Sequence, residues 1–206
     1  MLTIGVDLGG TNLAAGIVDN GKILHKMSVA TNFKEGAGAL IADIARLCNE
    51  LTADFENIVS IGIGCPGIVN PKEGILVKAP NLGLFNIEIS QPLSRLLNLP
   101  VFIENDANCA ALGEHSRGAA KGAVSSITVT LGTGVGGGII IDGKIYSGPF
   151  FGAGEIGHHV IVVGGEACNC GRRGCWEAYA SANALKKQGF SPRTIFKDAK
   201  TNEAAK

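Results

Sequence analysis

The 206-residue chain carries 18 Lys and Arg against 18 Asp and Glu, and 46% of its residues are hydrophobic against 17% charged. That balance suits one large or two small packed domains and argues against disorder. With no basic cluster longer than a pair, the chain has no electrostatic footprint for nucleic acid or a membrane surface, and no apolar stretch nears the roughly 18 residues of a membrane span. The opening MLTIGVDLGG lacks a basic region and runs straight into a strand pattern, which predicts no signal peptide. The six cysteines then belong to a reducing cytoplasm rather than to disulfides.

Residues 2–8 read as a buried strand ending in the turn Gly9-Gly10-Thr11, and residues 13–19 and 22–30 as two more strands joined by the hairpin signal Asn20-Gly21. Leu40, Ile41, Ile44, Leu47, Cys48 and Leu51 share one face of a helix over about 36–53. A strand follows at 58–64, then a loop-rich excursion marked by Pro71, Gly74, Pro80, Asn81 and Gly83. The pattern continues with a helix over 87–97, a strand after Pro100 and a helix over 107–116. After Gly118 it restarts: strand 125–131, the glycine turn GTGVGGG, strand IIIDGKIY with a hairpin at Asp142-Gly143. The order predicts an α/β fold with a mixed sheet, in two domains at 1–117 and 118–206, with a hint of internal duplication. Cys48, Cys65 and Cys109 read as core residues.

Four motifs carry chemistry. His158, Cys168, Cys170 and Cys175 lie within eighteen residues, bracketed by Glu155 and Glu177; three thiolates and an imidazole are the ligand set of a closed tetrahedral zinc site. Chance burial of cysteines competes with that reading, but the surrounding Gly, Asn and Arg give burial little to explain. Asp7-Leu8-Gly9-Gly10-Thr11-Asn12 ends a strand with two glycines that admit an anion to the backbone, and Asp7 suits Mg²⁺; a plain hairpin turn is the alternative. Gly132-Thr133-Gly134, at the head of the second glycine turn, is neither a dinucleotide fingerprint, since strand residues follow it, nor a Walker loop. The two strand–turn–strand elements together suit a phosphate clamp. Between them, FIENDAN sets Asn105 and Asp106 at a strand-to-helix junction, where an acid serves equally as a general base or as a helix cap.

DLGGTN, GCPG, ENDANCAALGE, LGTGVGGG, GEIGHH and the cysteine cluster, in this order, resemble ROK-family sugar kinases, and bacterial ROK glucokinases above all. The resemblance covers nearly residues 1–183 and is most specific from His158 to Glu177. It implies the two-lobed, actin-like (ribonuclease-H-like) ATPase fold, with the second lobe short of its full length. It implies Asp106 as the base acting on a sugar hydroxyl, and Gly67, Asn105, Glu155, His158 and Glu177 as further sugar contacts. Asp7, Gly9, Gly10, Thr11, Asn12, Gly132, Thr133 and Gly134 would surround ATP phosphates and Mg²⁺. His158, Cys168, Cys170 and Cys175 would hold a structural Zn²⁺, with His158 rather than His159 as the ligand. The implied partners are a hexose and ATP, without nucleic acid or membrane, in a homo-oligomer, a dimer when intact. Some family members are repressors with an N-terminal helix-turn-helix, for which a first strand starting at residue 2 leaves no room. The family's kinases are longer than this chain, whose tail QGFSPRTIFKDAKTNEAAK resembles the helical stretch after the zinc motif. A hexose kinase and a sugar-binding module or inactive remnant lacking the adenosine half both remain open. Trp176 and Tyr179 read as packing under the zinc loop, and His25 and His115 as ordinary histidines.

Overall fold

Strand β1 (Leu2–Leu8) sends Ile4, Val6 and Leu8 inward and leaves Gly5 and Asp7 exposed, the two-residue period of a strand covered on one face. The computed structural model describes residues 1–33, 35–192 and 194, so most of the tail resembling a helical stretch lies outside the described residues. The chain forms two compact units, Met1–Cys109 and a second beginning at Ala110. Among the described residues, no helix is long and apolar enough to cross a membrane.

In the first unit, β2 (Asn12–Asp19) and β3 (Lys22–Ala30) return antiparallel from β1. Their turn has φ of 48° at Asn20 and 80° at Gly21, the two positive values that an Asn-Gly hairpin supplies at low cost. Helix α1 (Ala37–Thr52) buries Leu40, Ile44, Ala45, Leu47, Cys48 and Leu51 against the sheet, with Ile41 at the edge of the apolar stripe. β4 (Ile58–Cys65) then pairs parallel to β1.

The stretch expected to be loop-rich is a small antiparallel sheet instead: β5 (Ile68–Asn70), β6 (Ile75–Ala79) and β7 (Leu84–Glu88). Its strands are three to five residues long and separated by turn residues, so the prolines and glycines dominate the local pattern while Val69, Leu76, Ala79 and Leu84 join the core. For the same reason the helix expected from residue 87 begins later, as α2 (Ser90–Leu97). β8 (Val101–Asn105) completes a five-stranded sheet of order β3-β2-β1-β4-β8, antiparallel over three strands and parallel over the last two additions. Its register sets Asp7 beside Gly64 and Gly64 beside Glu104, so all three stand at the C-terminal ends of adjacent parallel strands. In open α/β sheets that edge is where ligands bind. Helix α3 (Asp106–Arg117) leaves directly from it, and Cys109 on α3 is half-buried rather than a full core residue.

In the second unit, β9 (Ser126–Leu131), β10 (Val135–Ile141) and the two-residue β11 (Lys144–Ile145) form an antiparallel sheet, with Asp142-Gly143 as the second hairpin turn. The turn between β9 and β10 is only Gly132-Thr133-Gly134; Gly136, Gly137 and Gly138, expected in it, pair with Thr130, Val129 and Thr128 inside β10. The reason is close packing. A Cβ at Gly137 would come within 2.7 Å of the Gly154 carbonyl oxygen and 2.5 Å of the Ile156 side chain. Only a bare strand lets the 3₁₀ turn Ile156–His158 lie against it. Beyond that turn come the cysteine loop and the short helices α4 (Glu177–Ala180) and α5 (Ala182–Lys187).

Candidate functional site

At the β8–α3 junction, the Asn105 side-chain oxygen accepts the Asn108 N–H at 3.0 Å, which is the N-cap bond of α3. Its amide nitrogen donates to the Gly67 carbonyl at 2.9 Å and to Asp106 Oδ1 at 3.0 Å. Asn105 therefore caps the helix, ties it to the β4–β5 turn and steadies the neighbouring acid. Asp106 Oδ1 also accepts the Ala107 N–H at 2.8 Å. Asp106 is exposed, yet the protein packed around its carboxyl raises its pKa above the ordinary value, and the charge of Asp7 adds to the rise. The hydrogen bonds from Ala107 and Asn105 pull the other way.

Two residues missed in the sequence support this junction. Glu104 Oε1 accepts the Asn105 N–H at 2.8 Å and the Asn108 amide at 3.0 Å, and Asn108 is only 4% exposed. The side-chain oxygen of Asn108 is buried without a hydrogen-bond partner. An acid next to Asn-Asp was visible in FIENDAN, but its inward role depends on the strand-to-helix geometry. In the first glycine turn the Gly9 N–H donates to the Asn12 carbonyl at 3.0 Å, and Thr31 Oγ1 donates to the Gly9 carbonyl at 2.8 Å. Asp7, Gly10, Thr11 and Asn12 are exposed.

In the second unit His158, Cys168, Cys170 and Cys175 converge, their ligating atoms all within 4.8 Å of one another. Cys168 Sγ is 3.6 Å from His158 Nδ1, and Cys170 Sγ is 3.6 Å from Cys175 Sγ. A tetrahedral zinc with Zn–S bonds of about 2.3 Å sets its sulfurs about 3.8 Å apart, so this donor set fits such an ion. The loop is built by its own backbone: Val160 bridges Cys175, Ala167 bridges Arg173, and the Cys168 N–H donates to the Arg172 carbonyl at 2.9 Å. Desolvation pushes the Cys170 thiol up, but hydrogen bonds from the Arg172 N–H and guanidinium, and from Cys168 and Cys175, outweigh it and bring the thiol down to about 6. Cys175 is pushed up to about 11, by desolvation first and then by the same neighbouring thiols.

With Nδ1 turned to the sulfurs, His158 Nε2 faces Glu155 Oε2 at 3.7 Å, beyond direct hydrogen-bond reach. The Tyr179 hydroxyl accepts the Glu166 N–H at 2.8 Å, in keeping with its expected place under the loop. Glu177, expected at a sugar, has one oxygen committed elsewhere: Oε2 accepts the Val135 N–H at 2.9 Å, at the end of the second glycine turn. Gly132 and Thr133 are exposed, and the Gly132 N–H donates to the Gly134 carbonyl at 3.0 Å.

The ROK family model matches residues 3–205 of the chain. The chain belongs to the ROK family. The glucokinase of Streptomyces coelicolor is 44% identical to this ROK chain over 187 residues, covering 89% of it and 57% of the relative. The chain thus spans little more than half the length of that glucokinase. The N-acetylmannosamine kinase of Vibrio cholerae is 36% identical over 214 residues, covering all of the chain and 73% of the relative. A crystal structure of a ROK family glucokinase from Streptomyces griseus in complex with glucose and AMPPNP superposes with a TM-score of 0.84 at 36% identity, covering all of this chain and 73% of that one. The ROK chain has the α/β, actin-like ATPase fold of these sugar kinases.

Proposed function

We propose that the protein transfers the γ-phosphoryl group of Mg-ATP to a hexose, glucose first among the candidates, with Asp106 as general base. The observation that carries this reading is the division of labour at the β8–α3 junction. Asn105 makes the cap bond of α3, which leaves the Asp106 carboxylate, beside Asp7 at the C-terminal edge of the parallel strands, available to take a proton.

Asp106 accepts the proton of the sugar hydroxyl, the C6 hydroxyl in glucose, as its oxygen attacks the γ-phosphorus. The bond from that phosphorus to the bridging oxygen breaks, and ADP leaves with the electron pair. Phosphoryl transfer depends mainly on positioning and charge neutralisation. Gly10, Thr11, Thr133 and the backbone around them are suited to cradle phosphate oxygens, and Asp7 would hold Mg²⁺, which supplies neutralisation of the developing charge.

Glu155, His158 and Glu177 are assigned to the sugar hydroxyls, and so are Asn105 and Gly67, which are tied to each other by the Asn105 amide. A Zn²⁺ on His158 Nδ1, Cys168, Cys170 and Cys175 would supply a fixed loop and a fixed imidazole tautomer. His158 then carries its remaining proton on Nε2, ready to donate to a sugar oxygen. Calorimetric binding and coupled turnover over a panel of glucose, mannose, fructose and N-acetylated hexoses test this. Turnover with one hexose and Mg-ATP is expected; hexose binding with no sugar phosphate from any member assigns a sugar-binding module instead.

A further inference from the structure

We infer that Glu177 is a positioning residue that transmits order from the four-donor cluster to the Gly132–Gly134 turn, so that a metal held by His158 and the three cysteines shapes the phosphate side of the site as well as the sugar side. The functional weight of this inference rests on the kinase reading above; its structural content does not.

The path is short. Cys175 is wholly buried and bridged to Val160, and the Ala178 N–H donates to its carbonyl at 3.0 Å. Glu177 follows two residues later, within the same turn, which the Ala180 N–H closes onto the Trp176 carbonyl at 3.0 Å. A shift of the Cys175 backbone therefore carries the Glu177 side chain with it. That side chain ends on the glycine turn: its Oε2 accepts the Val135 N–H at 2.9 Å. A hydrogen bond to a carboxylate is roughly twice as strong as a neutral one.

The other end of the same turn is strapped by the same segment, since the Ala182 N–H donates to the Gly132 carbonyl at 2.9 Å. Residues 177–182 thus grip the turn at both of its ends. The composition of the turn agrees with this grip, because a Cβ at Gly134 would occupy the place of the Glu177 carboxylate. A carboxylate has two oxygens, so a hold on Val135 through Oε2 is compatible with a hydroxyl contact through Oε1.

A residue that only touched sugar would leave the Val135 amide unaffected when removed, which gives the test its edge. Amide hydrogen exchange at Val135 is followed in the Zn²⁺-loaded and chelator-treated protein, for the wild type, Glu177→Ala and Glu177→Gln, with the Ile63 amide of the first unit as a folding reference. Expected are exchange at Val135 at least about tenfold faster in Glu177→Ala, a similar acceleration in the wild type on metal removal, and little further change when the two are combined. Glu177→Gln, which keeps an acceptor oxygen, restores protection at least in part. Unchanged exchange at Val135, additive effects of metal removal and Glu177→Ala, or equal exchange in the Ala and Gln variants would overturn the inference. If Glu177→Ala does not fold, the metal-removal arm and Glu177→Gln still decide it. None of these readouts needs turnover, so an inactive protein would count against the kinase reading and leave this result standing.

Discussion

At Asp106, packing and the charge of Asp7 penalise the ionised form while hydrogen bonds from Ala107 and Asn105 favour it, and the balance raises the pKa. A folded-state pKa above the unfolded one means that the folded protein holds the proton more tightly. This contribution to stability is full below the unfolded pKa and is lost as pH rises through the folded pKa. At neutral pH the ionised carboxylate is therefore a mild burden on the fold. Asp106→Asn, whose side-chain oxygen can accept the same two hydrogen bonds, is expected to melt no lower than the wild type at pH 7 in a thermal scan, while its turnover falls by roughly 10²–10⁴-fold. A lower melting temperature would reassign the carboxylate to structure. The wild-type kcat/KM should fall on the acid side through one protonation at a pH above the ordinary carboxylate value of 3.8. The cluster of His158 and three cysteines was legible in sequence because ligand type and spacing are local. Glu104 and Asn108 were not, because their hydrogen bonds exist only once β8 meets α3.

The elements that hold these residues owe their form to close backbone approaches and short turns. Asn105→Ala removes both the α3 cap bond and the tie to Gly67, and should cost about 1–2 kcal/mol in urea unfolding of the chain. A cost near zero would mean that water replaces both bonds. Gly137→Ala places a methyl group against the Gly154 carbonyl and displaces the 3₁₀ turn that carries His158. Its expected signature is about 10–100-fold weaker Co²⁺ binding, read from the thiolate-to-metal absorption band, with the first unit unaffected. The same packing explains why the run of glycines did not read as strand: glycine is a turn signal locally, and only the neighbouring 3₁₀ turn makes it necessary in β10. The strands between Ile68 and Glu88 were hidden for the opposite reason, being only three to five residues long and set among turn residues that dominate the local pattern. The long elements were plain, since six apolar positions at helical spacing define α1 without tertiary help.

For the molecule as a whole, the two units differ in what they bury. The first is built on a continuous apolar core running from Ile4 to Ile103, whereas among the described residues few of the buried apolar ones fall in the second, which carries the four-donor loop. An ion that binds only the folded form at a hundred times its dissociation constant adds about 2.7 kcal/mol, which in a unit the size of the second moves the melting temperature by roughly 11–22 °C. Chelation should therefore lower the melting transition of the second unit by about that amount and leave the first unit nearly unchanged, as followed by amide exchange in each. A loss shared equally by both units would contradict this division. The fold class was legible because β1 to β3 and the glycine turns leave strong local signals, and family membership followed from the order of the motifs. The most direct test of the central claim is phosphorus NMR of the chain with Mg-ATP and glucose, run beside Asp106→Asn. A sugar 6-phosphate resonance is expected to grow with the ADP signals in the wild type and to be absent from the variant over the same period. Equal sugar phosphate from both proteins would contradict that claim.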